Sequence, residues 1–188
     1  MNKKQLIVTS VLVSLMLILV VAQRLFKEKF EQVSINENGV SKSIDYNLED
    51  NYVIALPEEW NLCQNESRQD YISYTADFKD KDNNVAGIIY IINTDTDVKT
   101  FAERDLKNQS LEYSNLELTP VKVKGHLGVM SQYNTNIKNG YNFKNTCYYL
   151  ELGENRILKV LFNCKINSYN EGKKEIFDSI ISSIEAHK

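Results

Sequence analysis

From Leu6 to Ala22 the chain runs for 17 residues without a charged side chain, with Lys3 and Lys4 before it and Arg24, Lys27 and Lys29 after it. At 1.5 Å per helical residue the run is about 25 Å long, close to the thickness of a thin hydrocarbon core. A cleaved leader peptide is the rival reading, because Val20-Val21-Ala22 loosely resembles a cleavage site behind a basic head. The run, however, exceeds the usual apolar length of about 7 to 15 residues, and basic residues follow it at once, which favours a retained anchor. No cysteine lies near its end, so lipid attachment of the lipoprotein type is excluded there. With so short a tail, Lys3 and Lys4 set the expectation of a single-pass protein in the cell membrane with its C-terminal domain outside. Cleavage would instead give a secreted protein.

The expected organisation is therefore an anchor over residues 1–22, a stalk over 23–44 and one extracytoplasmic α+β domain over 45–188. Past Ala22, with Lys3 and Lys4 removed from the count, 20 basic and 25 acidic residues give a formal charge of −5, which offers no field for nucleic acid. Eleven tyrosines and seven phenylalanines can fill a sizeable core without a metal or disulfide framework. The heavy use of Asn, Lys and Ile points to an AT-rich bacterial genome. Three cysteines, Cys63, Cys147 and Cys164, cannot all pair within one chain and lack C-x-x-C spacing. Small buried apolar residues are the plain reading, with a Cys147–Cys164 bridge left open.

The domain alternates like β-structure. Tyr46 and Leu48, a polar turn, and Tyr52 to Leu56 ending at Pro57 suggest a hairpin, with Trp60 folding back onto the sheet as a core residue. Ile72, Tyr74, Ala76 and Phe78 share one face, and the apolar run Val85 to Ile92 is expected to be a central strand covered on both faces. Thr100-Phe101-Ala102-Glu103 fits a capping box for a helix, with Asp97 as the alternative cap one turn earlier. Strands are expected at Leu116 to Lys124, Val129 to Asn136, Asn142 to Leu152 and Arg156 to Ile166, with a turn over Gly125 to Gly128. A three-residue loop, Gly153 to Asn155, would place Tyr148, Leu150 and Leu152 across from Val160, Leu158 and Arg156. A final helix from about Ser168, opening on Ser168-Tyr169-Asn170-Glu171, turns Ile176, Phe177, Ile180 and Ile184 inward.

Hairpins with two amphipathic helices make an antiparallel sheet covered by helices, an α/β/α sandwich. The strand ending in Leu56-Pro57-Glu58-Glu59-Trp60, the mid-chain helix, the meander around Val121 to Leu161 and the ending Phe177-Asp178-Ser179-Ile180-Ile181-Ser182-Ser183-Ile184 resemble the PsbP-like superfamily over roughly Tyr46 to Ala186. The resemblance implies a binding or assembly module with no shared catalytic residues, so it carries no site across.

Candidate chemistry is thin. Asp80-Lys81-Asp82-Asn83-Asn84 begins like a calcium loop, but Val85 and Ile91 stand where the loop needs Gly and Glu, which leaves a hairpin turn. Thr94-Asp95-Thr96-Asp97 suits helix capping. The two histidines, His126 and His187, give almost no material for a metal site or triad. Tyr133, Tyr141 and Phe143 flank the Asn-rich stretch Asn134 to Asn142 and are the candidate partner-binding aromatics, with core packing as the alternative. No cofactor and no enzymatic activity are expected. The reading is a non-enzymatic extracytoplasmic binding or assembly module that meets the membrane through Leu6 to Ala22 and an envelope protein or small ligand through its domain. The alternative is a structural subunit of an envelope secretion or conjugation machine.

Overall fold

The computed structural model describes residues 42–49, 52–67, 69–137 and 140–186. The anchor expected over Leu6 to Ala22, and the stalk up to residue 41, lie outside the described residues. Among the described residues no helix is long and apolar enough to cross a membrane.

The described residues form ten strands and two helices in the order β1 (Ser43–Leu48), β2 (Tyr52–Pro57), β3 (Asn61–Asn65), β4 (Ile72–Lys79), β5 (Val85–Asn93), α1 (Val98–Lys107), β6 (Tyr113–Val123), β7 (His126–Ile137), β8 (Tyr141–Gly153), β9 (Arg156–Lys165), α2 (Glu171–Ser182) and β10 (Glu185–Ala186). A 3-10 turn, Ile166–Ser168, links β9 to α2. Seven strands form one antiparallel sheet in the order β3-β4-β5-β9-β8-β7-β6, and β1-β2-β10 form a second. The first strand opens at Ser43, two residues before the expected domain start. Neither β3 nor β10 is anticipated by the residue pattern, because Asn-Leu-Cys-Gln-Asn has no sustained alternation and two residues are too few to show one.

The large sheet is covered on both sides. On one face Val98 and Ala102 of α1 pack on Val129, Cys147, Tyr149 and Ile157. On the other, Phe177, Ile180 and Ile181 of α2 join Tyr52, Ile54 and Leu56 of β2 over Ile89, Ile91, Leu150, Leu158, Val160 and Phe162. The second cover is thus a helix with a small sheet beside it, not a helix alone. Two-sided burial falls on β8, where Asn145 to Leu150 are all buried. On β5 the second face is closed only at Ile92: Ile88 and Tyr90 are half-buried and Ala86 is exposed, which corrects the expectation that the whole run is covered on both faces. Gly87 is held small, since a Cβ there would stand 2.1 Å from the Leu161 carbonyl oxygen and 2.2 Å from the Phe78 ring.

Turn chemistry sets the registers. Glu154 and Asn155 both have positive φ, 51° and 58°, and close the β8–β9 hairpin in two residues with the twist that antiparallel strands favour. Tyr148 faces Val160 and Leu150 faces Leu158 as the sequence predicts, but a bulge between Glu151 and Gly153 sets Gly153 opposite Arg156 and leaves Leu152 out of the pairing. Lys124 and Gly125 close the β6–β7 hairpin equally tightly, so His126 to Gly128 belong to a strand and not to a turn. Asp97 caps α1, its Oδ1 accepting the Thr100 N–H at 3.0 Å, so the alternative cap is the one used. Asn170 caps α2 by accepting the Lys173 N–H at 3.0 Å, because Ser168, the expected cap, is taken up by the 3-10 turn. Asp80 is indeed a turn residue: Oδ1 accepts the Asn84 and Val85 N–H groups at 2.7 and 3.0 Å.

Trp60 is 5% exposed and lies parallel to Phe78, ring centres 5.6 Å apart. Phe78 meets Phe162 edge-on at 5.2 Å, and Phe162 stacks on Phe177 at 4.3 Å, so one aromatic column ties the sheet to α2. Trp60→Ala is expected to cost about 3 to 5 kcal/mol. The tryptophan emission, which reports on this residue alone, should be blue-shifted and resist iodide. A mutant as stable as the parent, with solvent-like emission in the parent, would overturn the core assignment.

Candidate functional site

β7 and β8 run past the end of the apolar core. On the face that carries α2, successive cross-strand rows are Met130/Tyr148, Gln132/Thr146, Asn134/Lys144 and Asn136/Asn142. Side chains two apart in a strand share a face, so the surface turns from apolar to amide and hydroxyl within three rows. Gln132 Nε2 donates to the Tyr169 hydroxyl at 3.2 Å and to Thr146 Oγ1 at 3.4 Å. Asn134 Oδ1 is enclosed without a hydrogen-bond partner among the described residues. Where β8 begins, Gly140 and Asn142 face Lys165 at the end of β9 and Ile166, Asn167 and Ser168 of the 3-10 turn across an open cavity of about 300 Å³.

The predicted aromatics do not form one exposed set. Tyr133 is 2% exposed, its hydroxyl accepting from Gln109 Nε2 at 2.9 Å and its ring 5.6 Å from that of Tyr113. It therefore belongs to the packing beneath the segment that leaves α1 and is withdrawn as a partner anchor. Tyr141 pairs with Ile137 in the ladder, and half-buried Phe143 sits opposite Thr135 and Lys165, one residue from the cavity. The cavity residues beyond β8 were missed, because Lys165 to Ser168 stand more than twenty positions further along the chain and no local pattern joins them to Asn142.

A second polar node lies under α1. Asp105 Oδ2 accepts from the Tyr149 hydroxyl and from Lys159 Nζ, both at 2.7 Å, and the ammonium sits 5.7 and 5.8 Å from the ring centres of Tyr90 and Tyr149. Charge-assisted bonds of this kind fix geometry, and here they pin α1 to β8 and β9. Next to it, burial pushes the Cys147 thiol up to about 12. Burial likewise raises Tyr133 to about 12, with the neighbouring Cys147 adding to it. Tyr148 is raised by burial and by the Asp178 carboxylate that accepts its hydrogen bond. At neutral pH these groups are protonated and fill space, Tyr148 donating to Asp178 and Tyr133 accepting from Gln109, and none is an activated nucleophile. Cys147 and Cys164 point to opposite faces, Cys147 opposite Leu161 and Cys164 opposite Lys144, and all three thiols are free. His126 Nδ1 lies 2.7 Å from the Glu151 carbonyl oxygen, at the start of β7. Among the described residues no three His, Cys, Asp or Glu side chains stand close enough to hold a metal ion.

Comparison with solved structures finds this architecture in cyanobacterial PsbP (CyanoP) of Synechocystis, at 13% identity over 82% of this chain and 98% of that one, with a TM-score of 0.51. The Ran-binding protein Mog1p of Saccharomyces cerevisiae matches at 10% identity over 77% of this chain and 95% of its own, with a TM-score of 0.53. LpqN of Mycobacterium tuberculosis, described as involved in cell envelope biogenesis, matches at 12% identity over 85% and 98%, with a TM-score of 0.50. The domain thus has the PsbP-like fold; at such identities the likeness extends to fold alone. No protein-family model matches the chain, and no curated protein does.

Only Cys63, exposed on β3, should react with a thiol reagent in the native protein, with Cys147 and Cys164 following on denaturation. Cys147 and Tyr133 hold their protons more tightly folded than at the ordinary values of 9.0 and 10.0. Their contribution to stability is therefore complete below those values and lost as the pH rises toward 12. The urea midpoint should hold to about pH 8 and fall above about pH 9, less steeply in Cys147→Ala. A midpoint that stays level to about pH 11, or three fast native thiols, would contradict this burial.

Proposed function

We propose that the chain is a single-pass membrane protein whose PsbP-like domain stands on the outer side of the membrane as a non-enzymatic binding or assembly module. The observation that carries this reading is the coupling of the uncharged run Leu6 to Ala22, preceded by Lys3 and Lys4, to that domain. Support for binding over catalysis comes from Cys147 and Tyr133, whose burial holds them protonated, so that neither is an activated nucleophile. Two of the proteins that share the fold add to it: one is described as Ran-binding, and another by its part in envelope biogenesis.

A structural subunit of an envelope machine is the second reading, and the exposed Leu116, Leu118 and Leu127 on the β6–β7 hairpin favour it as apolar material for lateral contacts. Pro120, Lys122 and the bulge between Ser114 and Glu117 speak against pairing of the β6 edge itself.

Protease added to intact spheroplasts should remove the domain, leaving residues 1–22 in the membrane fraction. A mature N-terminus at Gln23, with protein released to the medium, would refute the anchor. Migration of the detergent-solubilised chain within a large complex, lost in Leu118→Asp/Leu127→Asp, would select the second reading.

A further inference from the structure

We propose that α1 is a hinged cover, which lifts from β7, β8 and β9 as a unit while α2 and the core beneath it stay closed. The two sides of the large sheet are held by unequal means. α2 buries Phe177, Ile180 and Ile181 and stacks Phe177 on Phe162 at 4.3 Å. Ser183, at its end, ties it to β2 by accepting the Ala55 N–H at 2.8 Å. α1 buries Val98, Ala102 and Leu106, and of these Ala102 brings a single methyl group. A segment with few buried apolar contacts opens at a lower free energy than the molecule as a whole.

The layer under α1 is also the more polar one. Side chains two apart in a strand share a face, so Ser131, Tyr133 and Thr135 stand with Val129 on the α1 side, and Asn145 with Cys147 and Tyr149. Ser131, Thr135 and Asn145 are all buried there. The Asp105 carboxylate, which holds the helix down, accepts from the Tyr149 hydroxyl and from Lys159 Nζ, both at 2.7 Å. Charged and hydroxyl groups can exchange a protein partner for water at small net cost, whereas stacked rings such as those under α2 lose contacts that water does not replace. Ser131 adds to the imbalance: it stands opposite Cys147, and its Oγ is enclosed without a partner among the described residues, so hydration on opening favours the open state.

Solvent already reaches the flank of this layer. Ile88 pairs with Leu161 and Leu161 with Cys147, and of this row Ile88 and Leu161 are half-buried, as is Tyr90 beside Lys159. The connections permit the motion. On the entry side the Thr94 N–H donates to the Asn155 carbonyl at 2.7 Å and Asn155 Nδ2 donates to Asp95 at 2.6 Å, which ties the chain to the β8–β9 hairpin. On the exit side Ser110, Leu111 and Glu112 are exposed and supply slack. The pivot therefore lies before Val98. Lifting breaks the Asp105 contacts and the Gln109 bond to the Tyr133 hydroxyl, and uncovers Cys147, while Cys164 stays in the core closed by α2 and β2.

The inference goes beyond the binding-module reading and holds on whichever side of a membrane the domain stands. In the full chain in detergent, Cys63 is first blocked with N-ethylmaleimide, and a deuterated form of the same reagent then labels the buried thiols, with peptide mass spectrometry as readout. Cys147 should react at least about tenfold faster than global unfolding allows, at a rate almost independent of urea below about 1 M. Amides of α1 should exchange hydrogen through the same opening, while those of α2 keep the protection of the whole domain. Lys159→Met leaves Asp105 without its cation and should speed Cys147 labelling about tenfold with α2 amide protection unchanged. Ser131→Ala, which removes the unmatched hydroxyl at nearly constant volume, should slow that labelling severalfold. Labelling of Cys147 only at the global rate with full urea dependence, α1 and α2 amides exchanging together, or faster labelling in Ser131→Ala would overturn the proposal.

Discussion

Burial of β8 on both faces is the constraint from which the rest of the domain follows. Asn145 to Leu150 have no exposed member, so alternate residues commit to two different cores. Tyr148 and Leu150 enter the one closed by α2 and β2, and Cys147 and Tyr149 the one closed by α1. A slip of one residue would exchange the two sets and move Tyr149 away from Asp105. The left-handed pair Glu154 and Asn155 prevents it by fixing where β9 starts, and the bulge at Leu152 absorbs the remaining mismatch. Once β9 is set, Phe162 stands beneath Phe177, and the aromatic column reaching Trp60 follows.

The two covers are held by different forces. α2 is fixed by aromatic stacking and aliphatic burial, with Tyr148 bonded to Asp178 at its edge. α1 is short, buries Val98, Ala102 and Leu106, and depends in addition on the Asp105 contacts with Tyr149 and Lys159. Removing one partner of such a partly buried charged pair leaves the other poorly matched, so the polar node specifies where α1 sits more than it adds to net stability. Neither helix covers the far ends of β7 and β8, and there the strand period continues with amides in place of aliphatic side chains.

Much of this was legible in the residues. The pattern of apolar residues located eight of the strands, by alternation where one face is closed and, at Val85 to Ile92, by a continuous apolar run. The helix stripes identified Ala102, Phe177 and Ile180 as inward-facing. Pro57 and the turn after it marked the place where Trp60 folds back. Boundaries were less legible where two capping residues competed, as Asp97 with Thr100 and Asn170 with Ser168. In each pair the choice depends on where the preceding strand or turn releases the chain. Tyr133 illustrates the limit for sites: its neighbours in sequence are polar and suggest exposure, whereas Gln109 and Tyr113, more than twenty positions away by sequence for the first, close over it.

What the sequence determined by itself is everything that depends on local period and local backbone preference: the membrane-length apolar run, the antiparallel strands, the two amphipathic helices and the polar character of the turns. What tertiary structure alone decided is which distant segments share a surface. The separation of Cys147 from Cys164 onto opposite faces depends on hairpin register, as does the doubling of burial on β8 instead of β5. The meeting of Asn142 with Lys165 and Asn167 across one cavity depends on the 3-10 turn that carries the chain from β9 to α2. Period and propensity act over a few residues, whereas register and layer packing are fixed by contacts between strands far apart in the chain, and no short stretch of residues encodes them.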